Sequence, residues 1–480
     1  MRTKYKFPQI ILVLILVSAC EVTDFDPTHL LDGSNAFQDM NNVEQHLTGV
    51  YSAFRGGAYY GSTYGVQADM MADDVYETLE SLGNFRTVTD WTYVANDGIV
   101  AGAWIVPYAV ISDANLVLVN LERFQESAVG QKARIRGQAL AIRALAHFDL
   151  MRFFAQSYDR NSNELGIPIR LDNSIATPTR NTVREVYDQI YSDLAEAKTL
   201  LTGTLDIAIN TASDRTRIDA SVVDAIQARV ALYAKDYPTA IASATNVIAN
   251  SGLGLASRAD FPNIWRQNAV ANEVIWAVKY LPGQGQPGGN IYFSVNNRLS
   301  FQPAPELVAL YDVVNDVRYG SYISTTLTSP TGRNGQVVPV KYLGINGLTD
   351  GNVDFKVFRV AEMYLIRAEA RAFSNQDADA LADLNALRAA RINGYVSVVL
   401  AGDPLKDAIA NERRKELFIE GHRWFDIKRA GGDVVRGSAC GAPATACNLP
   451  STSFRWVWPI PQGELDANIA IRAQQNPGYN

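Results

Sequence analysis

Residues 411–429, NERRKELFIEGHRWFDIKR, put ten charged side chains and a Trp-Phe pair into nineteen positions. The acids Glu412, Glu416 and Glu420 recur every four residues, which on a helix sets them in one row. Glycoside hydrolysis needs two carboxylates facing each other across a cleft, about 5–10 Å apart. Acids four apart on one helix instead point the same way. Here they are interleaved with Arg413, Arg414 and Lys415, with Arg413 in reach of Glu416 and Arg423 in reach of Glu420. The pattern favours a salt-bridged helix face, with Trp424 and Phe425 as core plugs, over a catalytic pair.

The elements around this block read as helices. Leu140, Ala144, Phe148 and Met151 step by four, four and three, giving one apolar face. Val186, Ile190, Leu194, Ala197 and Leu201 repeat the scheme, as do Val223, Ile226, Val230 and Tyr233. Two stretches read as helix pairs with tetratricopeptide-like Ala and Tyr spacing. One runs from Ala228 to Ile248 with a turn at Asp236-Tyr237-Pro238, the other from Arg359 to Arg391 with a turn near Ser374-Asn375. Stacked pairs of this kind commonly form a recognition scaffold. Trp104, Tyr108 and Asn115 fall on a further helix and read as core.

Two segments differ. Residues 281–354 alternate Gly-, Pro- and Asn-rich turns with aromatic patches, as a loop-rich excursion with a few short strands. Residues 51–96 are similarly rich in Tyr and Gly. Long loops on a rigid frame are where binding residues concentrate. Sugars are held by aromatic faces together with carboxylates and amides. Asp73, Asp74, Arg86, Trp91, Tyr93 and Asn96 supply that mixture from the first segment, and Tyr292, Asn296 and Arg298 from the second.

The N-terminus carries Arg2, Lys4 and Lys6, then an apolar run from Ile10 to Val17, then Ser18-Ala19-Cys20. This is the layout of a secretory signal, too short to span a bilayer. The sequence VSAC resembles a bacterial lipobox with Cys20 as the acylated residue, which would hold the protein on a membrane surface. No other segment reads as a span. Losing residues 1–19 removes three positive charges and no acid, so the formal charge of −7 becomes more negative still. That argues against nucleic-acid binding. Cys440 and Cys447, in CGAPATAC, read as a local disulfide in an oxidising compartment. A two-sulfur metal site is the other reading, but no His lies close in sequence. Four His in all, without HExxH or paired CxxC, argue against a zinc enzyme.

Several motifs then converge in order. QALAIRALAHFDLMRFFAQSY (138–158) precedes Gly166-Ile167-Pro168; Asp316-Val317-Arg318 and Lys341-Tyr342 precede RVAEMYLIRAEA (359–370). LNALRAAR (384–391), the 411–429 block, WPIPQGELDAN (458–468) and QNPGY (475–479) follow. Together with the lipobox, this set resembles the SusD/RagB family of surface lipoproteins across essentially the whole mature chain. The resemblance implies a mostly α, SusD-like fold of tetratricopeptide-like helix pairs with a loop-rich lobe containing a few short strands. Residues 1–19 would be a lipoprotein signal peptide and 20–40 an acidic tether. Residues 41–480 would form one unit, with an N-terminal helical half (41–260) and a C-terminal half (261–480) carrying the excursion 281–354.

The implied function is capture of an oligo- or polysaccharide at the cell surface and its delivery to a TonB-dependent, SusC-like outer-membrane transporter, with the protein acting as lid. It implies no enzymatic activity and calls for no cofactor or metal. A peptide-binding protein of the same architecture, an envelope glycoside hydrolase and a ligand-free scaffold are the alternatives. The tether is acidic but lacks consecutive acids, so surface exposure comes from the resemblance alone, and the Cys440–Cys447 loop lies outside the shared pattern.

Overall fold

The apolar spacing becomes a stack of helices in a computed structural model that describes residues 36–267, 272–281, 284, 299–326, 337–345, 351–437, 440 and 446–479. Among these residues the helices of eight residues or more are α1 (Met40–Ala53), α2 (Gly98–Leu121), α3 (Gln131–Phe154), α4 (Val183–Thr202), α5 (Ala220–Tyr233), α6 (Tyr237–Asn250), α7 (Val360–Phe373), α8 (Asp377–Arg391), α9 (Gly402–Glu416) and α10 (Arg423–Ala430). The strands are short: β1 (Val75–Glu77), β2 (Val274–Val278), β3 (Phe301–Pro303), β4 (Ile323–Ser324), β5 (Val338–Pro339), β6 (Phe355–Arg359), β7 (Val434–Val435) and β8 (Asn448–Leu449). They pair antiparallel as β1–β3, β2–β6, β4–β5 and β7–β8.

Helix α3 is the axis of the N-terminal half. It packs against α2 on one side and α4 on the other, and every residue from Gly137 to Phe154 is buried. The single apolar face read from its sequence therefore understates it, because its polar residues are buried too and paired inside. Arg143 holds Asp193 of α4 at 2.7 Å, and Asp149 accepts from the hydroxyls of Tyr59 and Tyr60 at 2.8 and 3.0 Å. Helix α4 buries Val186, Ile190, Leu194, Ala197 and Leu201 along one face and starts at a capping box between Thr182 and Glu185.

The two helix pairs turn alike. In α5–α6, Lys235 takes a positive φ of 58° and the Asp236 carboxylate caps α6 by accepting from Thr239 N–H at 3.3 Å. In α7–α8, Asn375 takes the same φ of 58°. A single left-handed residue lets each chain reverse within three positions. Ala361, Ala368, Ala370 and Ala372 are buried on α7, where small side chains admit α6, α8 and α9 around one helix.

One boundary and one reading of the sequence are corrected by the structure. The tether expected to run to residue 40 is already packed at its end, since Phe37 and Met40 are buried and the Phe37 ring meets His46 edge-on at 5.1 Å. Helix α2, with 24 residues, is also long and apolar enough to cross a membrane by length and composition. It lies instead between α1 and α3 and carries the buried polar residues Asn115 and Asn120.

Candidate functional site

The 411–429 block is not one helix. Helix α9 ends at Glu416, a turn follows, and α10 begins at Arg423, so Glu420 leaves the row that Glu412 and Glu416 keep. The turn needs its glycine. Gly421 has φ +77°, and a Cβ there would lie 2.3 Å from the Tyr64 carbonyl oxygen. Asp69 accepts both Ile419 N–H at 3.2 Å and Gly421 N–H at 2.9 Å, locking the turn against the segment 62–70.

The acids of the block are sealed. Glu416 is met by Arg359 at 2.9 Å and by Arg318 and Arg391 at 3.1 Å each, all wholly buried. Glu412 is met by Arg388 at 2.6 Å, Arg318 at 2.7 Å and Lys415 at 3.1 Å. Glu420 takes Lys341 and Arg359, both at 2.6 Å, and Glu273 takes Arg359 and Arg391, both at 2.7 Å. Burial pushes the Glu412 carboxyl up, but Arg318, Lys415 and Arg388 outweigh it and hold it at about 2. Burial opposes ionisation of Glu416 too, yet Arg391, Arg359 and Arg318 hold it well below the usual carboxylate range. Such acids stay ionised and are fully buried among the described residues, so they are poor proton donors or nucleophiles.

Two expected pairings do not form. Arg413 turns to Asp426 at 2.8 Å in place of Glu416, and Arg423 turns to Asp73 at 2.6 Å in place of Glu420. The block therefore reaches out of its own segment and grips the loop that the sequence offered as a binding surface.

That grip decides the fate of several candidate residues. Asp73 is forked by Arg423, and Asp74 is buried and held by Arg414 at 2.6 Å, so both carboxylates are used as anchors. Trp91 is buried, its indole N–H donating to the Met71 carbonyl at 3.0 Å and its face covered by Arg436 at 4.3 Å. Tyr93 is buried with its hydroxyl on the Arg455 carbonyl and its ring 5.3 Å from that of Trp458. Neither ring presents a free face for a sugar to stack on. Arg86 and Asn96 do face solvent. Tyr292, Asn296 and Arg298 lie outside the described residues.

The two loop regions nevertheless meet. β1 and β3 form a ladder with Tyr76 opposite Gln302 and Glu77 opposite Phe301. Thr78 N–H continues it by donating to the Ser300 carbonyl at 2.9 Å, so residues 75–78 run beside residues 300–303. Arg86 reaches back to the buried Glu77 at 3.3 Å, and Leu79 and Leu82 stand exposed beside it. Tyr76, half-buried with its hydroxyl on Gln302, joins this rim and was not singled out from the sequence. The alternation Val75 in, Tyr76 out, Glu77 in is a strand signal, but three residues are too short a run to register against the surrounding turns.

The rim is also braced from the C-terminal half. Cys440 and Cys447 are joined as a disulfide, with Cα atoms 5.4 Å apart, beside the β7–β8 hairpin. From the same hairpin, Arg436 donates to the carbonyls of Ala72 at 3.0 Å and of Met70 and Met71 at 3.2 Å each. Burial lowers the Arg436 pKa to about 10.

Known proteins share this layout. A family model described as the SusD family matches residues 309–479, and one described as starch-binding associating with outer membrane matches residues 31–232. SusD-like protein P2 of Formosa agariphila is 25% identical, with 99% of this chain and 100% of that protein aligned. The starch-binding protein SusD of Bacteroides thetaiotaomicron is 31% identical over 28% of this chain and 23% of its own length. A solved SusD superfamily protein from Bacteroides thetaiotaomicron superposes with a TM-score of 0.81 at 26% identity, covering 92% of this chain and all of that one.

Proposed function

The chain belongs to the SusD/RagB family, and from that premise we propose that it captures an oligo- or polysaccharide at the outer surface of the outer membrane and passes it to a TonB-dependent, SusC-like transporter that it covers as a lid. The observation that carries this reading is the β1–β3 ladder, which brings two loop regions more than 200 residues apart into one rim on a rigid helical frame. Rim residues Tyr76 and Arg86 combine an aromatic ring and a cation, part of the mixture sugars require. A starch-binding relative and a starch-binding family model add support. The acids that would have served a hydrolase are consumed by buried ion pairs, which supports binding without chemistry.

Anchoring through acylated Cys20 completes the proposal. Replacing Cys20 by Ala should move the protein from the membrane fraction to the soluble one. Retention of the purified mature chain in gels cast with a panel of glycans tests the cargo. Retention by at least one glycan is the expected result. Calorimetric binding of a peptide panel with no glycan retained would move the cargo to peptides, and new reducing ends released from a bound glycan would make the protein an enzyme.

A further inference from the structure

A cleft of about 320 Å³ opens between α2, the extended strap 167–178 and the short C-terminal helix Gln462–Ala467 that carries Glu464. It shares no lining residue with the rim. Its apolar side is the half-buried Tyr108, with Trp104, only 3% exposed, packed against it one helical turn away on α2 at a ring-centroid distance of 5.0 Å. Ile105, 60% exposed, extends this apolar side. The facing side is polar, with Asp172, Asn173 and Glu464.

The walls are fixed before any ligand arrives. The Tyr108 hydroxyl donates to the Pro168 carbonyl at 2.8 Å, and the Asn173 amide donates to the Ser112 carbonyl at 2.9 Å. Trp104 Nε1 donates to Glu464 Oε2 at 3.3 Å, and Asn468 joins Glu464 Oε1 at 3.2 Å to the Pro178 carbonyl at 2.8 Å. His147 accepts the Arg170 N–H at 3.2 Å and so pins the strap to α3. Three segments distant in sequence thus hold one shape, and a preformed pocket spares a ligand the cost of ordering it. Among the described residues no group donates to Asn173 Oδ1 or Asp172 Oδ2, so both retain acceptor capacity for a hydroxyl.

We propose that this cleft is a second carbohydrate site that takes a neutral segment of about one or two sugar rings, given a volume at the lower end of small-ligand pockets. The C–H face of the sugar lies over the Tyr108–Ile105 side, with the buried Trp104 beside it, and its hydroxyls donate to Asp172, Asn173 and Glu464. Two acids against the single base Arg170 make the lining net negative, so it discriminates against uronate or sulfated units. The proposal rests on the glycan reading of the whole protein only for its choice of probe.

The test reads the cleft itself. The mature chain is labelled with 5-fluorotryptophan, its Trp104 resonance assigned with Trp104→Phe, and titrated with maltose, cellobiose and laminaribiose, and separately with digalacturonate, to about 10 mM, ten times a weak millimolar Kd. At least one neutral disaccharide should shift the Trp104 signal, and digalacturonate should not. Ala176→Phe, on the exposed strap, should fill the cleft and abolish the shift, and Glu464→Gln should weaken binding several-fold. A Trp104 signal unmoved by every neutral disaccharide, moved equally by digalacturonate, or still moved in Ala176→Phe would overturn the proposal. Glycan retention in gels that is unaffected by Ala176→Phe leaves the rim reading standing, so the two can fail separately.

Discussion

Arg359, the last residue of β6, lies 2.9 Å from Glu416, the last residue of α9, and both side chains are wholly buried. The same guanidinium also reaches Glu273 at 2.7 Å and Glu420 at 2.6 Å, so one arginine joins a strand, a helix end and a turn. A charge sunk this deep is tolerable only while its partners remain.

Replacing Glu416 by Gln removes one partner and leaves Arg318, Arg359 and Arg391 short of a counter-charge. The expected cost is about 3–5 kcal/mol, read as a lower midpoint in urea unfolding. Glycan affinity of the folded protein should be unchanged. A variant that keeps its midpoint and loses its ligand would return the block to a functional role.

The pH response has two windows. His147 is neutral in the fold: Nδ1 sits 3.0 Å from the Arg143 carbonyl, and burial with the Arg143 charge lowers its pKa to about 3. The unfolded chain takes up that proton at about 6.5, so stability is full above that value and falls as pH drops towards 3. Buried His422, also held well below its usual value, adds to the same slope. Glu412, held at about 2 against an unfolded value of about 4.3, contributes stability that is present above about 4.3 and lost as pH falls through 2. Urea midpoints should therefore decline gently between about pH 6.5 and 4.5 and steeply below. His147→Asn should make the upper window shallower, with His422 still contributing, and leave the lower one in place.

Gly421 and Gly431 separate backbone strain from steric clash. Both have positive φ, +77° and +67°, but a Cβ at Gly421 would strike the Tyr64 carbonyl whereas one at Gly431 meets nothing within 4 Å. Gly421→Ala should cost about 2–4 kcal/mol and Gly431→Ala about 1 kcal/mol. Equal unfolding midpoints for the two would show that the turn's contact with residues 62–70 contributes nothing.

The helical frame was legible in the sequence because its periods are long. The five spaced residues of α4 and the turns of both helix pairs appear where their spacing put them. The 411–429 block was legible in character, as an ion-pair network, but its partners were not. Glu416 bonds Arg318, Arg359 and Arg391, between 25 and 98 positions away, and no local pattern encodes such pairings. The candidate site suffered most for the same reason. Asp73, Asp74, Trp91 and Tyr93 are of types that bind sugars, yet Arg423, Arg414, Arg436 and Arg455, more than 300 residues on, had already claimed them. Composition shows what a loop can offer, whereas tertiary contacts decide what remains free. Tyr108 illustrates the converse, reading as core on α2 and emerging half-buried at the edge of a cleft.

The binding-site prediction turns on the two sequence candidates that face solvent, Arg86 at the rim and Asn96. Arg86→Lys keeps a cation beside Glu77, which is itself buried, but loses the planar fork. Because the lysine keeps the counter-charge for Glu77 and position 86 is itself exposed, the urea midpoint should move little. Asn96→Ala, on an exposed loop residue, should be equally silent in unfolding. If sugar hydroxyls are bound by these side chains, each substitution should weaken glycan affinity by about threefold to tenfold, up to about 1.4 kcal/mol, as measured by calorimetry with whichever glycan the gels retain. Tyr292→Ala belongs in the same series, because its chain enters the rim at Leu299 beside Thr78. Three variants that all bind as tightly as the parent would place the cargo elsewhere, and a loss confined to Tyr292→Ala would narrow the site to the later loop.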